Sequence, residues 1–327
     1  MSGSDASVRE INVQDLFVTE LPLIDGVYVA GRPDASEDEV HTSGAFSEKW
    51  TTLDQEPPDE EEGWKQVQLR WYLTCYGYSD EAAFEAFLKT RRVVIDAGCG
   101  PGYKAAWFAR LNPDALVVAM DLSDSIFVAA RRYRSVPNMV FVKGDIADTP
   151  FRDGVFDFVS CDQVLHHTDS PPATVREFHR VLAADGLLNT YVYARKAVPR
   201  ELLDEWLLQQ SKRLSKEEIW ELSDQVTKLG KTLSEMKVTI DVPEVKALGI
   251  KGGPQDLQRF VYWNFLKCFW NPEYGYEGSR MTNFDWYAPS TAFRYSREEF
   301  ETMLREGGFT PEFLYSEEPC HTGRFKK

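Results

Sequence analysis

The segment VVIDAGCGPG at residues 93–102 places Asp96, Gly98, Gly100 and Gly102 at the tip of a β-branched run, directly ahead of a helical stretch. Glycines at such a tip let the backbone turn sharply and approach a ligand without a Cβ clash. The helix start behind them presents free N–H groups to a carboxylate or phosphate. Taken alone, this turn suits NAD(P), FAD or S-adenosylmethionine. Asp121, followed by Leu122, ends a second apolar run 25 positions after Asp96, where a carboxylate can accept from both hydroxyls of a ribose. Asp145, followed by Ile146, ends a third, where an acid can accept from an adenine amino group. A fourth run ends at Asp162 and continues into QVLHH.

The glycine spacing is GxGxG, not the GxGxxG of the dinucleotide fingerprint, and no YxxxK proton relay follows where a dehydrogenase needs one. There is no GxSxG elbow, HExxH helix or GxxxxGK[ST] loop. Over residues 90–195 the combination resembles the class I S-adenosylmethionine-dependent methyltransferases, in particular the small-molecule subgroup whose segment after the fourth strand reads like VLHHTDSP. That resemblance implies S-adenosylmethionine as cofactor, S-adenosylhomocysteine as product, and a methyl group moved to an oxygen, nitrogen or sulfur atom. It also implies that Gly98, Gly100 and Gly102 line the methionine moiety, that Asp121 with Leu122 holds the ribose, and that Asp145 with Ile146 frames the adenine. Asp96 then orients the loop, and Asp162 closes the site from the fourth strand. The alternatives are a binding protein that has lost its chemistry, or transfer of a different group from the same cofactor. Methylases of nucleobase amines carry an NPPY-like or DPPY-like tetrapeptide after the fourth strand, where this chain has CDQV.

Direct displacement from a sulfonium needs alignment of the nucleophile, exclusion of water and, for a hydroxyl or ammonium acceptor, a proton acceptor. His166 is the first candidate base, since phosphoethanolamine methyltransferases have a similar Asp-x-x-x-His, here Asp162 to His166; His167 is its alternative. A His pair that merely holds this loop against the next helix is the competing reading. Residues 260–300 hold fourteen aromatic side chains, enough for a core of their own and for an acceptor pocket. Tyr276, Arg280, Asp285, Trp286 and Tyr287 are the acceptor-binding candidates.

The elements that must hold these residues alternate in type. Strand patterns end at Asp96, Asp121, Asp145 and Asp162, a fifth covers GLLNTYVYA, and helical patterns lie between them. The expected fold is α/β: a Rossmann-like parallel sheet with helices on both faces and a C-terminal antiparallel strand pair. An N-terminal extension (1–63) precedes the cofactor domain (64–195), a helical, aromatic-rich cap (196–290) interrupts it, and 291–327 complete the sheet. In the extension, LPLIDGV reads as a hairpin and the tract ending in PPDEEEG as a solvated loop. LPLIDGV with Phe46 and Trp50 resembles zinc-ribbon-like leaders of some bacterial methyltransferases, but the metal-binding cysteines are absent, so no metal is expected. A cover over the cofactor or a homodimer contact is the role expected of the extension.

Net charge is −15, and residues 1–63 account for −13 of it through 16 acidic and three basic residues. With no basic stripe to meet phosphates, nucleic acid is not expected as a partner. No apolar run is long enough for a membrane span, the start lacks signal-peptide features, and five scattered cysteines form no CxxC pair, so a cytoplasmic protein is expected.

Overall fold

The computed structural model describes residues 12–31, 36–53 and 58–327. Part of the tract read as a solvated loop, 54–57, lies outside them, as does the N-terminal stretch 1–11. A short hairpin comes first, β1 (Leu23–Ile24) and β2 (Val27–Val29), turning at Asp25 and Gly26 with φ of +49° and +82°. Three helices follow, α1 (Glu37–Leu53), α2 (Pro58–Cys75) and α3 (Glu81–Leu88). The acidic tract is therefore helical on both sides of 54–57, which corrects the solvated-loop reading.

The alternating core runs β3 (Val93–Ala97), α4 (Tyr103–Leu111), β4 (Leu116–Asp121), α5 (Ser125–Tyr133), β5 (Met139–Lys143), β6 (Phe156–Cys161), α6 (Pro171–Val181) and β7 (Leu182–Ala194). The cap contains α7 (Val198–Ser211), α8 (Lys216–Glu235), the hairpin β8 (Thr239–Val242) and β9 (Gly253–Asp256), α9 (Leu257–Asn264) and α10 (Gly275–Tyr287). The charged stretch 200–237 of the cap is two helices, because Ser215 and Glu218 form a reciprocal cap that starts α8 afresh. The chain closes with β10 (Arg294–Tyr295), α11 (Arg297–Glu306), β11 (Thr310–Ser316) and β12 (Cys320–Lys326).

The strand order is β1-β2-β5-β4-β3-β6-β7-β12-β11, with β10 beside the end of β7. The strands from β2 to β7 pair in parallel, while β12 runs antiparallel to both β7 and β11. Parallel strands covered by helices on both faces must be apolar throughout, and all five residues of β3 are buried. Val94 points to one apolar core, and Val93, Ile95 and Ala97 to the other. Each of the valine and isoleucine side chains contributes about 1.5–3 kcal/mol by leaving water. Strand order reverses between β3 and β6, and open α/β sheets bind ligands beyond the carboxyl ends of the strands at such a point. Among the described residues, no helix is long and apolar enough to cross a membrane.

Candidate functional site

A cavity of about 630 Å³ opens at that switch point. Its floor is the β3–α4 loop. Gly98 and Cys99 donate their backbone N–H groups to the Met120 carbonyl at 2.8 and 3.0 Å, which curls the loop over β4. Gly98 sits at φ +81° and a Cβ there would lie 2.5 Å from Val164; at Gly100, φ +53°, it would lie 2.9 Å from the Trp50 ring. Both positions thus require glycine. Gly102 does not line the cavity: a Cβ there would strike Ala129 of α5 at 2.8 Å, so its role is helix packing.

The strand-end acids converge on this floor. Asp121 accepts from Gly100 N at 2.8 Å, Ser123 N at 2.8 Å and Ser123 Oγ at 2.6 Å, which leaves part of its lone-pair capacity for a ligand. Asp145 accepts from Ala147 N at 2.9 Å, with Ile146 and Leu122 beside it in the lining. Asp162 is paired with a charge: it accepts from Tyr76 Oη at 2.8 Å and from the ammonium of Lys104 in a buried ion pair. Burial pushes Asp96 up to about 7 even though Lys104 pulls the other way. Asp96 Oδ2 is buried without a hydrogen-bond partner among the described residues. Gln163 follows with φ +65°, a strained backbone at the mouth of the site, and reaches Gln68 of α2 at 3.1 Å.

The two histidines part company here. His167 lines the cavity and His166 does not; His166 is wholly buried, its ring 3.8 Å from that of Tyr193. Burial lowers both, His167 to about 4, so both imidazoles are neutral near pH 7. His167 Nδ1 lies 2.7 Å from the Thr291 carbonyl, an acceptor, so Nδ1 carries the proton and Nε2 is the free acceptor.

The acceptor candidates divide by helix face. Asp285 and Trp286 of α10 line the cavity together with Met281 and Thr282, whereas Tyr276, Arg280 and Tyr287 do not. Tyr276 donates to Asp224 at 2.6 Å, Arg280 pairs with Glu277 at 2.5 Å over the Trp220 ring, and Tyr287 donates to the Lys267 carbonyl at 2.5 Å. These three hold α10 in the cap rather than face a ligand.

The extension was expected to cover the cofactor, but not as a helix and not through the residues that do so. Helix α1 lies across the mouth of the cavity, with Trp50 over Gly100, Phe46 edge-on to His167 at 5.1 Å, and Lys49 paired with Asp285 at 2.7 Å. Ser47 Oγ accepts from Asp124 N at 3.0 Å, so the same helix touches both the cofactor floor and the cap. Phe46 and Trp50, four apart and so on one helical face, were the available signal. Lys104, Tyr76, Lys196, Arg259 and Lys267 were missed as well, and for single cations and a tyrosine far apart in sequence no pattern announces the site.

Residues 95–190 match a protein family described as a methyltransferase domain. The chain is 37% identical over 98 residues to the malonyl-acyl-carrier-protein O-methyltransferase of Legionella pneumophila, covering 30% of this chain and 34% of that protein. It is 32% identical over 124 residues to the fatty-acid O-methyltransferase of Mycolicibacterium smegmatis, covering 38% of this chain and 43% of that one. The match therefore spans less than half the length of either relative. Among solved structures, the 1,6-didemethyltoxoflavin-N1-methyltransferase of Burkholderia thailandensis aligns over 92% of this chain and 94% of its own at 15% identity, with a TM-score of 0.43.

Proposed function

We propose that the protein, whose residues 95–190 match a methyltransferase domain, uses S-adenosylmethionine to methylate a small-molecule acceptor bound between that domain and the aromatic cap. One observation carries the reading: a single cavity joins the glycine floor at Gly98 and Gly100 to Tyr193 of β7 and to the cap residues Tyr262 and Trp286. The floor fits the cofactor. Gly98 and Gly100 leave a cradle that side chains would fill, and the unpartnered oxygen of Asp96 suits a cationic group. Asp121 would hold the ribose, with Asp145 and Ile146 at the adenine. When bound, S-adenosylmethionine supplies an electrophilic methyl group.

The chain's own residues then align the acceptor and exclude water. Helix α1 roofs the cavity through Trp50 and Phe46, and a closed, dry site favours displacement of a charged leaving group. His167, which lines the cavity, would accept a hydrogen bond at Nε2 from an acceptor hydroxyl, a role closed to His166, which lies outside the lining. Oxygen is the acceptor atom in the names of both curated relatives, which supports an O-methyl product.

Calorimetric titration with S-adenosylmethionine, S-adenosylhomocysteine, NAD(H) and NADP(H) tests the reading. Micromolar binding of the first two alone is the expected result; binding of a nicotinamide dinucleotide, or of neither adenosyl compound, overturns it. With an acceptor found by screening for S-adenosylhomocysteine release, His167→Ala is expected to lower kcat by about 100-fold at unchanged cofactor affinity. His166→Ala is expected to cost about 1–3 kcal/mol in urea unfolding and leave kcat near wild type. A large kcat loss confined to His166→Ala would reverse the assignment.

A further inference from the structure

The two ends of the cavity carry opposite charge. The floor is acidic, with Asp96, Asp121, Asp145 and Asp162 against Lys104. The cap end gathers Lys196, Arg200, Arg259 and Lys267 in a chain whose net charge is −15. Arg200 is neutralised there: its Nε donates to both carboxylate oxygens of Asp204, at 2.8 and 2.7 Å. The other three have no carboxylate within 4.0 Å among the described residues. The acids on that wall are engaged elsewhere or exposed, Asp285 holding Lys49 at 2.7 Å and Glu273 lying at the surface.

Lys267 is the sharpest case. It is 6% exposed, and among the described residues its ammonium donates only to a neutral group, the Tyr262 hydroxyl, at 2.9 Å. The rings of Trp286, Tyr262 and Phe269 surround it at 4.8, 5.1 and 5.6 Å. Arg259, half-buried, lies over two of the same rings at 5.7 and 5.9 Å. Lys196 donates to the backbone carbonyls of Ala194, Glu318 and Pro319 and lies 5.3 Å from the Trp263 ring. Aromatic faces ease a buried cation but do not replace a counter-charge. Accordingly burial, followed by the Arg200 charge, pushes both Lys267 and Lys196 down to about 7. Asp204, Asp285 and Arg259 also face Lys267, and Glu201 and Cys320 face Lys196, without restoring either to its ordinary range.

We infer that the methyl acceptor is an anion whose carboxylate or phosphate is held by Lys267 and Arg259, with Lys196, its own donors taken by backbone carbonyls, adding positive charge beside them, and with an apolar body against Tyr193 and Trp286. The two rings are 4.8 Å apart, and Tyr193 is 5.6 Å from His167. The anchor is thus separated from His167 by the width of that ring pair, and the atom receiving the methyl group sits at the His167 end. A cationic donor at the acidic floor and an anionic acceptor at the basic cap complement the cavity together. This inference rests on the methyltransferase reading.

The test uses the full chain saturated with S-adenosylhomocysteine, whose own binding is measured first. Benzoate, hexanoate and phenyl phosphate are titrated in, with benzamide and hexanamide as neutral counterparts. At least one anion is expected to bind at least tenfold more tightly than the amides, and preference for carboxylate or phosphate identifies the oxyanion. Arg259→Met and Lys267→Met are expected to weaken that anion about 10- to 100-fold. Lys267→Arg restores it, while Lys246→Met, on the exposed surface, changes nothing. Unaltered S-adenosylhomocysteine affinity shows that each variant is folded. At pH 8 both lysines are largely neutral in the free site, so anion binding takes up protons, read as different enthalpies in Hepes and Tris. A lysine that only supports the fold would not produce that uptake. Equal affinity for anions and amides, or no anion bound to a complex that holds S-adenosylhomocysteine, overturns the anion site and leaves the cofactor reading standing. Failure of S-adenosylhomocysteine to bind overturns both.

Discussion

Lys104→Met is expected to cost about 3–5 kcal/mol of folding stability, because it leaves a carboxylate buried without its cation. Asp162 is 1% exposed on its side chain, and Lys104 in the first turn of α4 is its charge partner. Burial works against the Lys104 ammonium, yet Asp162, with Tyr103 and Asp96 around it, more than offsets this and holds the group above the ordinary lysine range. Without that cation, Asp162 keeps only its hydrogen bonds from Tyr76 and Gln163. Asp96, already pushed up to about 7, rises further. A carboxyl whose folded pKa lies above its unfolded value loses stability as pH rises through that interval. The deficit should therefore be larger at pH 8 than at pH 5.5, as read by urea unfolding. Adding Asp162→Asn removes the stranded charge and should recover at least about 1 kcal/mol. A single variant within about 1 kcal/mol of wild type at pH 8 would show that the pair does not carry this load.

The parts of the fold that were legible are those where local chemistry and tertiary environment agree. In β3 and β4, β-branched runs are buried on both faces, so the pattern that reads as strand is also the one the core demands. The acids at their ends stand where the sheet stops and the crevice begins, which is why Asp96, Asp121, Asp145 and Asp162 arrive at one cavity. Helix α1 was illegible for the opposite reason. Its first turn is Glu37, Asp38 and Glu39, which reads as solvated sequence, and the contacts that seat it are made to Gly100, His167 and Asp285, distant along the chain. In α10, aromatic content alone pointed to Tyr276, Arg280, Asp285, Trp286 and Tyr287. A helix face repeats every three to four residues. Asp285 therefore shares its face with Met281 and Thr282, while Tyr276 and Arg280, four apart, turn toward α8. Which of the two faces met the cavity depended on packing against α8, information that no stretch of α10 contains.

Asp285→Asn and Lys49→Met break one ion pair, yet they are expected to differ in size and in pH dependence. Lys49, on the cavity side of α1, is 4% exposed, and burial holds its pKa below the usual lysine value, with Asp285 pulling it back up. Asp285 is less enclosed, its side chain 24% exposed on the cavity wall. Lys49→Met leaves an acid that water can reach and should cost about 1 kcal/mol. Asp285→Asn strands an ammonium among Trp50 and the roof, and should cost about 3–5 kcal/mol at pH 7. A lysine whose folded pKa lies below its unfolded 10.5 gains stability as pH rises toward that value. The Asp285→Asn deficit should therefore shrink from pH 7 to pH 9, whereas that of Lys49→Met, with no lysine left to titrate, should change less. The same bond ties α1 to the cap, alongside Thr42 with Ser290 at 3.2 Å. Loosening it lifts Trp50 from Gly100, so S-adenosylhomocysteine should leave Asp285→Asn several-fold faster in stopped-flow displacement. Equal, pH-independent losses in the two variants would mean that α1 is seated by its apolar contacts alone. In that case Trp50→Ala, not Asp285→Asn, would be the substitution that opens the roof.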